Sequence, residues 1–277
     1  MPELPDVEAI RRYLLAQGLV GRRIVEAELM WAKALREPSP ARFQQRVKGQ
    51  AIQALERRAK YLLLRLSGYT LVLHLGMTGS LQVVPAGVPL HPHVRNLFHL
   101  DDGRALWFAD PRKLGHLWLV KDARPLLDGL GPEPFSPEFT ARFLADRFKG
   151  KKAPVKALLL EQDIAAGVGN IYADEILFTA RLHPLTPAGS LTRAHVQRIH
   201  QATRTVLAAA TEKLWSIFPV SGPPTESAEG LQLLTVLRHE GAPCGRCTTP
   251  IERLVIRGRS AYFCPRCQGR GKVEKPS

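Results

Sequence analysis

Two Cys-x-x-Cys motifs near the C-terminal end constrain this chain more than any other feature. The four cysteines of the 277-residue sequence all lie there, at Cys244, Cys247, Cys264 and Cys267, with sixteen residues between the two pairs. Thiolates at this spacing close a tetrahedral shell around zinc and leave no position open for a substrate. The pattern therefore predicts a zinc ribbon holding one structural zinc ion, rather than disulfides.

The segment between the cysteine pairs is predicted to form a β-hairpin. Residues 251–256 and 260–263 are strand-like, and an Arg-Gly-Arg sequence at residues 257–259 stands at the predicted tip. An arginine at such a tip suits contact with a phosphate. A solvated turn is the alternative interpretation.

The charge balance favours a polyanionic partner. Lys and Arg number 39 against 25 Asp and Glu, which gives a net charge of +14 and a pI of about 10.1. An excess of this size indicates nucleic acid ahead of an anionic membrane. No run of eighteen apolar residues occurs, and the N-terminus is acidic and proline-bearing rather than basic and then apolar. We expect a cytoplasmic protein that does not engage a membrane.

Hydrophobic periodicity divides the chain in two. Up to about residue 125 one amphipathic helix, residues 6–18, is followed by strand patterns, which predicts a β-sandwich or barrel with that helix against it. The clearest strand predictions are a hairpin of residues 61–66 and 70–75, a hairpin of residues 93–100 and 104–108, and a strand at residues 116–120.

Beyond a Gly/Pro-rich linker at residues 126–135 the period becomes helical. Ser136-Pro137 is predicted to cap a first helix. Further helices are predicted at residues 155–162, 171–181 and 191–218, followed by a polar loop at residues 219–230. The expected domains are residues 1–125, residues 136–225 and a zinc-finger hairpin at residues 236–272.

Two short stretches suggest phosphate binding without proving it. Gly-Val-Gly-Asn at residues 167–170 would expose backbone N–H groups at a helix start, with Asn170 as an added donor, although an ordinary helix corner has the same pattern. The basic run that ends at Lys156 would contact the same phosphate backbone or simply face solvent. Lys60 and His74, each next to a strand, have no assignable role when taken alone.

Pro2 and Glu3 form a possible covalent catalyst. Removal of the initiator methionine before the small Pro2 would leave a secondary amine with a carboxylate beside it. An α-amino group titrates near pKa ~8, so part of it is nucleophilic at neutral pH. A processed terminus with Pro5 in the first helical turn is the simpler interpretation.

Seven motifs stand in one order along the chain. They are Pro-Glu-Leu-Pro at residues 2–5, Arg-Ala-Lys-Tyr-Leu-Leu at 58–63, His-Leu-Gly-Met-Thr-Gly-Ser at 74–80, Asp-Pro-Arg at 110–112, Leu-Gly-Pro-Glu-Pro at 130–134, Gly-Val-Gly-Asn-Ile-Tyr at 167–172 and the cysteine quartet. Over essentially its whole length the chain resembles the formamidopyrimidine-DNA glycosylase family, relatives of endonuclease VIII. The resemblance implies an α+β multidomain fold with an N-terminal β-sandwich and flanking helix, a helix-two-turn-helix domain and a four-cysteine zinc finger.

The resemblance also implies an activity. A monomeric, bifunctional DNA glycosylase and abasic-site lyase of base excision repair would excise oxidised bases, formamidopyrimidines and 8-oxoguanine, from damaged double-stranded DNA. The Pro2 amine would displace the base at C1′ of an everted nucleotide and form a Schiff base, with Glu3 moving protons, before β,δ-elimination. The implied catalytic residues are Pro2, Glu3 and Lys60. The residues implied to bind phosphates are Lys60, His74, Asn170 and Arg259. The residues implied to fill the hole left by the everted nucleotide are Met77, Arg112 and Leu114. Lys156 of the basic run is a further DNA-binding candidate.

The departures from the family pattern concern lesion choice. Leu114 stands where the oxidised-purine branch usually has phenylalanine, and Ala261 stands where threonine is common. The loop at residues 221–230 lacks the Gly-Tyr-Phe pattern of that branch. Two alternatives stay open: the same chemistry on oxidised pyrimidines or abasic sites, and a non-catalytic binder of damaged DNA.

Overall fold

The computed structural model describes residues 1–221, 234–236 and 239–269. It divides into two compact units. The first is Met1–Asp128 with the helical residues from Thr211 onward, and the second is Gly129–Ala210 with the described C-terminal residues. Of the predicted lesion-covering loop, only Ser221 lies within the described residues. No helix in the described part of the chain has the length and apolar character needed to span a membrane.

Two β-sheets and three helices build the first unit. The strands are β1 (Ile24–Leu29), β2 (Leu35–Glu37), β3 (Ile52–Arg58), β4 (Tyr61–Leu66), β5 (Thr70–His74), β6 (Ser80–Val84), β7 (Val94–Leu100), β8 (Ala105–Ala109) and β9 (His116–Val120). The helices are α1 (Leu4–Ala16), α2 (Pro40–Val47) and α3 (Arg124–Leu127). One sheet has the strand order β1-β7-β8-β6 and the other β2-β9-β5-β4-β3.

The structure confirms the predicted hairpins. Strands β4 and β5 pair with Leu62 opposite Leu73, and β7 pairs with β8 across the predicted Asp-Asp-Gly turn. Helix α1 has proline in its first turn and buries Val7, Ile10 and Leu14, which share one helical face. The strand-rich unit with a flanking helix is thus as expected.

The second unit contains helices and the cysteine hairpin. Its described helices are α4 (Ala141–Phe148), α5 (Val155–Leu159), α6 (Asn170–Ala180) and, up to Ala210, α7 (Arg193–Ser221). The hairpin strands are β10 (Glu252–Ile256) and β11 (Arg259–Phe263). The prediction that Ser136 caps the first of these helices is wrong. Thr140 is the N-cap because its hydroxyl accepts a hydrogen bond from the backbone N–H of Phe143 at 3.0 Å.

Candidate active site and nucleic-acid interface

Glu3 is held in a fixed position at the start of α1. It is 1% exposed, and its carboxylate accepts a hydrogen bond from the backbone N–H of Asp6. In return the Asp6 carboxylate accepts from the backbone N–H of Glu3 at 2.8 Å. This reciprocal capping box orients an acidic group directly beside Pro2. Burial, reinforced by the nearby Glu3 charge, raises the pKa of Asp6 to about 6.

The packing of α1 on β3 brings Lys60 to the same end of the unit. Arg11 donates to the Leu55 carbonyl at 3.3 Å, and Glu8 forms an ion pair with Arg57 at 3.3 Å. The helix therefore runs antiparallel to β3, and its N-terminal end points toward the tight turn between β3 and β4. Lys60 occupies that turn with only 6% exposure.

His74 lies beside this turn, at the end of β5, where it pairs with Tyr61 of β4. Its ring stands 5.0 Å from that of Tyr61, and its Nδ1 accepts the backbone N–H of Gly76 at 3.2 Å. Burial, aided by the positive charges of His116 and Lys60, lowers the pKa of His74 to about 4. The ring is therefore neutral at physiological pH and carries its proton on Nε2, where it is a hydrogen-bond donor.

Two turns that carry the predicted wedge residues are joined by Asp110. Met77 and Leu114 are 37% and 41% exposed, so both apolar side chains are accessible to a ligand. The buried Asp110 carboxylate accepts from the Leu114 backbone N–H at 2.6 Å and from the Thr78 hydroxyl at 2.6 Å. That hydroxyl accepts from the Arg112 backbone N–H at 3.2 Å. One side chain thus holds both turns together.

A buried glycine turn precedes the N-terminus of α6, where Asn170 is half-buried. Gly169 is the N-cap, and Gly167 has a left-handed φ of +90° that favours glycine. Gln162 braces this turn, because its side chain accepts from the Gly167 N–H at 3.0 Å and donates to the Val168 carbonyl at 2.8 Å. The Oδ1 atom of Asn170 has no hydrogen-bond partner among the described residues. The backbone N–H groups at the start of α6 and the side-chain N–H groups of Asn170 are donors that suit an external phosphate.

The four predicted metal ligands lie together. Their sulfur atoms are all within 4.8 Å of one another, and three of the six separations are 3.4, 3.4 and 3.9 Å. A tetrahedron with Zn–S bonds of about 2.3 Å has edges near 3.8 Å, so the thiolates fit a zinc ion. Backbone N–H groups of Arg246 and Cys267 point to two of the sulfurs. The quartet is the ligand set of a structural zinc ion.

Lys156 differs from the expectation of a phosphate contact. Its side chain is fully buried, its ammonium group pairs with Asp174 at 2.7 Å, and it donates to the Ser260 carbonyl at 2.6 Å. Asp174 also accepts the backbone N–H of Tyr262 at 3.1 Å. Burial raises the pKa of Asp174 to about 7, whereas the Lys156 charge favours the carboxylate. The ion pair therefore anchors the zinc hairpin, and the exposed Arg253, Arg257 and Arg259 are surface cations of that hairpin.

Ala261 is a packing residue of this hairpin. It is fully buried in a cluster with Ala157 and Ile256. Ala261, which replaces the common threonine, therefore packs in the interior between the hairpin and α5, and the replacement does not alter an exposed surface.

Asp110, Gln162 and Asp174 are functional candidates to which the sequence assigns no role. Asp110 is the first residue of the Asp-Pro-Arg motif. Its position between a predicted strand and Pro-Arg is the only local sequence feature that marks it. Asp174 has no such signal, because its partners Lys156 and Tyr262 come from other segments. Gln162 has none either, although its partners are only five and six residues away.

The fold and these clusters define a zinc-containing, nucleic-acid-binding protein with an N-terminal acidic site. Three domain families match the chain: the N-terminal domain of formamidopyrimidine-DNA glycosylase at residues 1–117, the H2TH domain of the same enzyme at 130–218, and the zinc finger found in FPG and IleRS at 241–269. The chain belongs to the formamidopyrimidine-DNA glycosylase family. It is a DNA glycosylase of base excision repair, from a family that also has abasic-site lyase activity.

Individual relatives match along nearly the whole chain. A formamidopyrimidine-DNA glycosylase of Symbiobacterium thermophilum is 45% identical, covering 97% of this chain and 89% of the relative. The crystal structure of the MutM (Fpg) protein of Thermus thermophilus matches with a TM-score of 0.83 at 40% identity, covering 98% and 100%. A Lactococcus lactis Fpg mutant, solved with Fapy-dG-containing DNA, matches with a TM-score of 0.89 at 28% identity, covering 97% and 100%.

Proposed function

We propose that this protein excises formamidopyrimidines and 8-oxoguanine from damaged double-stranded DNA through a Schiff base on Pro2. The Pro2 nitrogen bonds to C1′ as the C1′–N bond to the base breaks, and the base leaves with a proton. Glu3 transfers protons during opening of the sugar ring and during β,δ-elimination, which cuts the strand on both sides of the lost base.

The observation that carries this proposal is the capping of Glu3. The Glu3 carboxylate is 1% exposed, is held by the Asp6 backbone N–H, and belongs to the residue that directly follows the proposed nucleophile. General acid–base catalysis needs a group within hydrogen-bond reach of the reacting atoms, and rigid placement keeps it there. The intact Pro2, Glu3 and Lys60 count against a purely DNA-binding role.

Each of the two units would supply its own contacts to the DNA. In the first, Lys60 and the neutral His74 would contact phosphates beside the lesion, and the exposed wedge side chains would enter the base stack. The wedge set is Met77, Arg112 and Leu114. In the second, Asn170 at the start of α6 and Arg259 on the zinc hairpin would contact phosphates.

One observation favours a second substrate class. Leu114 is an exposed aliphatic residue. Its contacts with neighbouring bases would offset less of the free energy of unstacking a base than the contacts of an aromatic ring would. Abasic sites, where no base has to be extruded, are therefore proposed as good substrates, together with oxidised pyrimidines.

The relatives named above are bacterial. We infer that the protein acts as a monomer on the nucleoid in the cytoplasm, without engaging a membrane.

Borohydride trapping tests the proposal. Reduction of the Schiff base should crosslink the protein to DNA with one defined lesion, and mass spectrometry should place the crosslink on Pro2. Adding one residue ahead of Pro2 should abolish trapping and base release, because the nucleophilic amine is then displaced. Full-yield crosslinking of the extended protein would rule out Pro2, and absence of any crosslink in the unextended protein would support the DNA-binding alternative.

A further inference from the structure

The ring of Trp31 forms a cation–π contact with the loop that carries the wedge residues. The Lys113 ammonium group lies 4.2 Å from the ring centroid, inside the range of a strong interaction. Lys113 stands between Arg112 and Leu114, the two wedge residues of this loop. A second cation, Lys33, lies 5.4 Å from the same ring but belongs to a different segment.

The backbone of Lys113 explains why this loop needs support. Its φ is +57°, in the left-handed region that residues with a Cβ rarely occupy. Strained residues persist where surrounding contacts hold them. Asp110 accepts the next N–H along the chain, that of Leu114, at 2.6 Å. Asp110 thus fixes the backbone, while Trp31 is positioned to hold the Lys113 side chain.

Trp31 is itself tied to the base of the loop. Its backbone N–H donates to the Arg95 carbonyl at 2.8 Å, and the Arg95 side chain donates to the Asp110 carbonyl at 2.8 Å. The ring and the loop therefore share one hydrogen-bonded framework on β7. A movement of the loop away from this framework would break the Trp31–Lys113 contact.

We propose that Trp31 and Lys113 form a clamp that positions the wedge during base extrusion, with Trp31 as a positioning residue for lesion specificity. This inference rests on the proposed function. Extrusion of a paired base costs a few kcal/mol, and a loose wedge would recover less of that cost. An abasic site has no base to extrude, so its cleavage should not depend on the clamp. The clamp therefore acts on substrate discrimination and not on the Pro2 chemistry.

The test uses the full-length zinc-loaded protein in single-turnover assays on two duplexes, one with 8-oxoguanine opposite cytosine and one with a preformed abasic site. We expect Trp31→Ala and Lys113→Met to slow 8-oxoguanine excision about fivefold, which corresponds to about 1 kcal/mol for a cation–π contact of an exposed lysine. Abasic-site cleavage should stay within about twofold of wild type, since the extrusion step is absent. Trp31→Phe, which keeps an aromatic face, should retain most of the activity.

Lys33→Met is the matched control, because it removes the other cation at the ring and leaves the wedge loop intact. It should match wild type on both duplexes. The inference is wrong if Lys113→Met has wild-type rates, if it slows both substrates equally, or if Lys33→Met reproduces its effect. A loss confined to Lys113→Met with Trp31→Ala unaffected would show a direct DNA contact by the lysine and would also overturn the clamp. Failure of wild type to crosslink with borohydride would instead overturn the proposed function.

Discussion

At the scale of single residues, Glu3 combines burial with two hydrogen bonds to Asp6 that fix its position. Replacing it with glutamine keeps the shape and the hydrogen bond from the Asp6 N–H, but an amide cannot transfer a proton. We expect Glu3→Gln to bind lesion DNA normally and to lose base excision by about 100-fold or more, the usual contribution of a general acid or base. Single-turnover excision and a binding titration on the same duplex measure both effects.

The lyase reaction serves as the internal control for Glu3→Gln. A preformed abasic site already presents an aldehyde to the amine, so part of this activity should survive in the variant. Excision at the wild-type rate would remove Glu3 from the acid–base role. Loss of DNA binding together with excision would indicate a structural role for the carboxylate.

His74 differs from an ordinary surface histidine in its titration. Because burial and nearby positive charge lower its pKa to about 4, the ring should stay neutral throughout the range from pH 5.5 to 8. NMR of the free protein should show His74 ring signals that do not shift in that range. A midpoint near 6.5 would mean that the ring is solvated and that its donor geometry is not fixed.

The lowered pKa of His74 also determines how the free energy of unfolding changes with pH. The unfolded chain takes up a proton on His74 near pH 6.5, whereas the folded protein does so only near pH 4. This residue therefore lowers the free energy of unfolding as the pH falls from about 6.5 to about 4. In urea unfolding experiments His74→Gln should reduce the loss of stability over this interval.

At the scale of elements, the zinc hairpin and helices α5 and α6 act as one assembly. Lys156 and Asp174 contact the backbone of β11, next to Arg259. Removal of zinc with a chelator should disorder the hairpin and weaken DNA binding, while the α1 terminus keeps its structure. Arg259→Ala should reproduce much of the binding loss with zinc still bound, since it removes one phosphate contact. A metal-free protein with normal affinity would contradict this.

The wedge loop is the element in which lesion preference should be adjustable. Leu114 is exposed and its backbone is fixed by Asp110, so a larger side chain has room. We expect Leu114→Phe to speed excision of 8-oxoguanine opposite cytosine more than that of formamidopyrimidines, with abasic-site cleavage unchanged, because a ring stacks better than an aliphatic chain. Equal rate changes on all three substrates in single-turnover assays would leave Leu114 without a part in discrimination.

The elements that sequence predicts well are those with local causes. The hairpins β4–β5 and β7–β8 follow from alternating apolar runs around turn residues, and the zinc site follows from cysteine spacing. The buried position of Lys156 could not be predicted, because its partner Asp174 stands eighteen positions along the chain in another helix. A lysine in a basic run is normally solvated, and only tertiary structure shows that this one is not.

At the scale of the whole molecule, the net charge of +14 should dominate non-specific affinity for DNA. Charge alone, however, does not say which residues reach the phosphates. The proposed contacts divide into two chemical kinds: Lys60 and Arg259 carry full positive charges, whereas Asn170 and the neutral His74 only donate hydrogen bonds. This division has a measurable consequence.

The salt dependence of binding separates the two kinds of contact. Each phosphate neutralised by a cation contributes about 0.9 to the slope of log affinity against log salt concentration, because counterions are released. Arg259→Ala should therefore weaken binding and reduce the slope by about one, as expected for a lost cationic contact. Asn170→Ala should weaken binding with the slope unchanged, since a neutral donor releases no counterion. Fluorescence anisotropy with a labelled abasic-analogue duplex at several salt concentrations measures both. An unchanged slope for Arg259→Ala would place the arginine away from the phosphates, and a reduced slope for Asn170→Ala would mean that its substitution displaces a neighbouring cation.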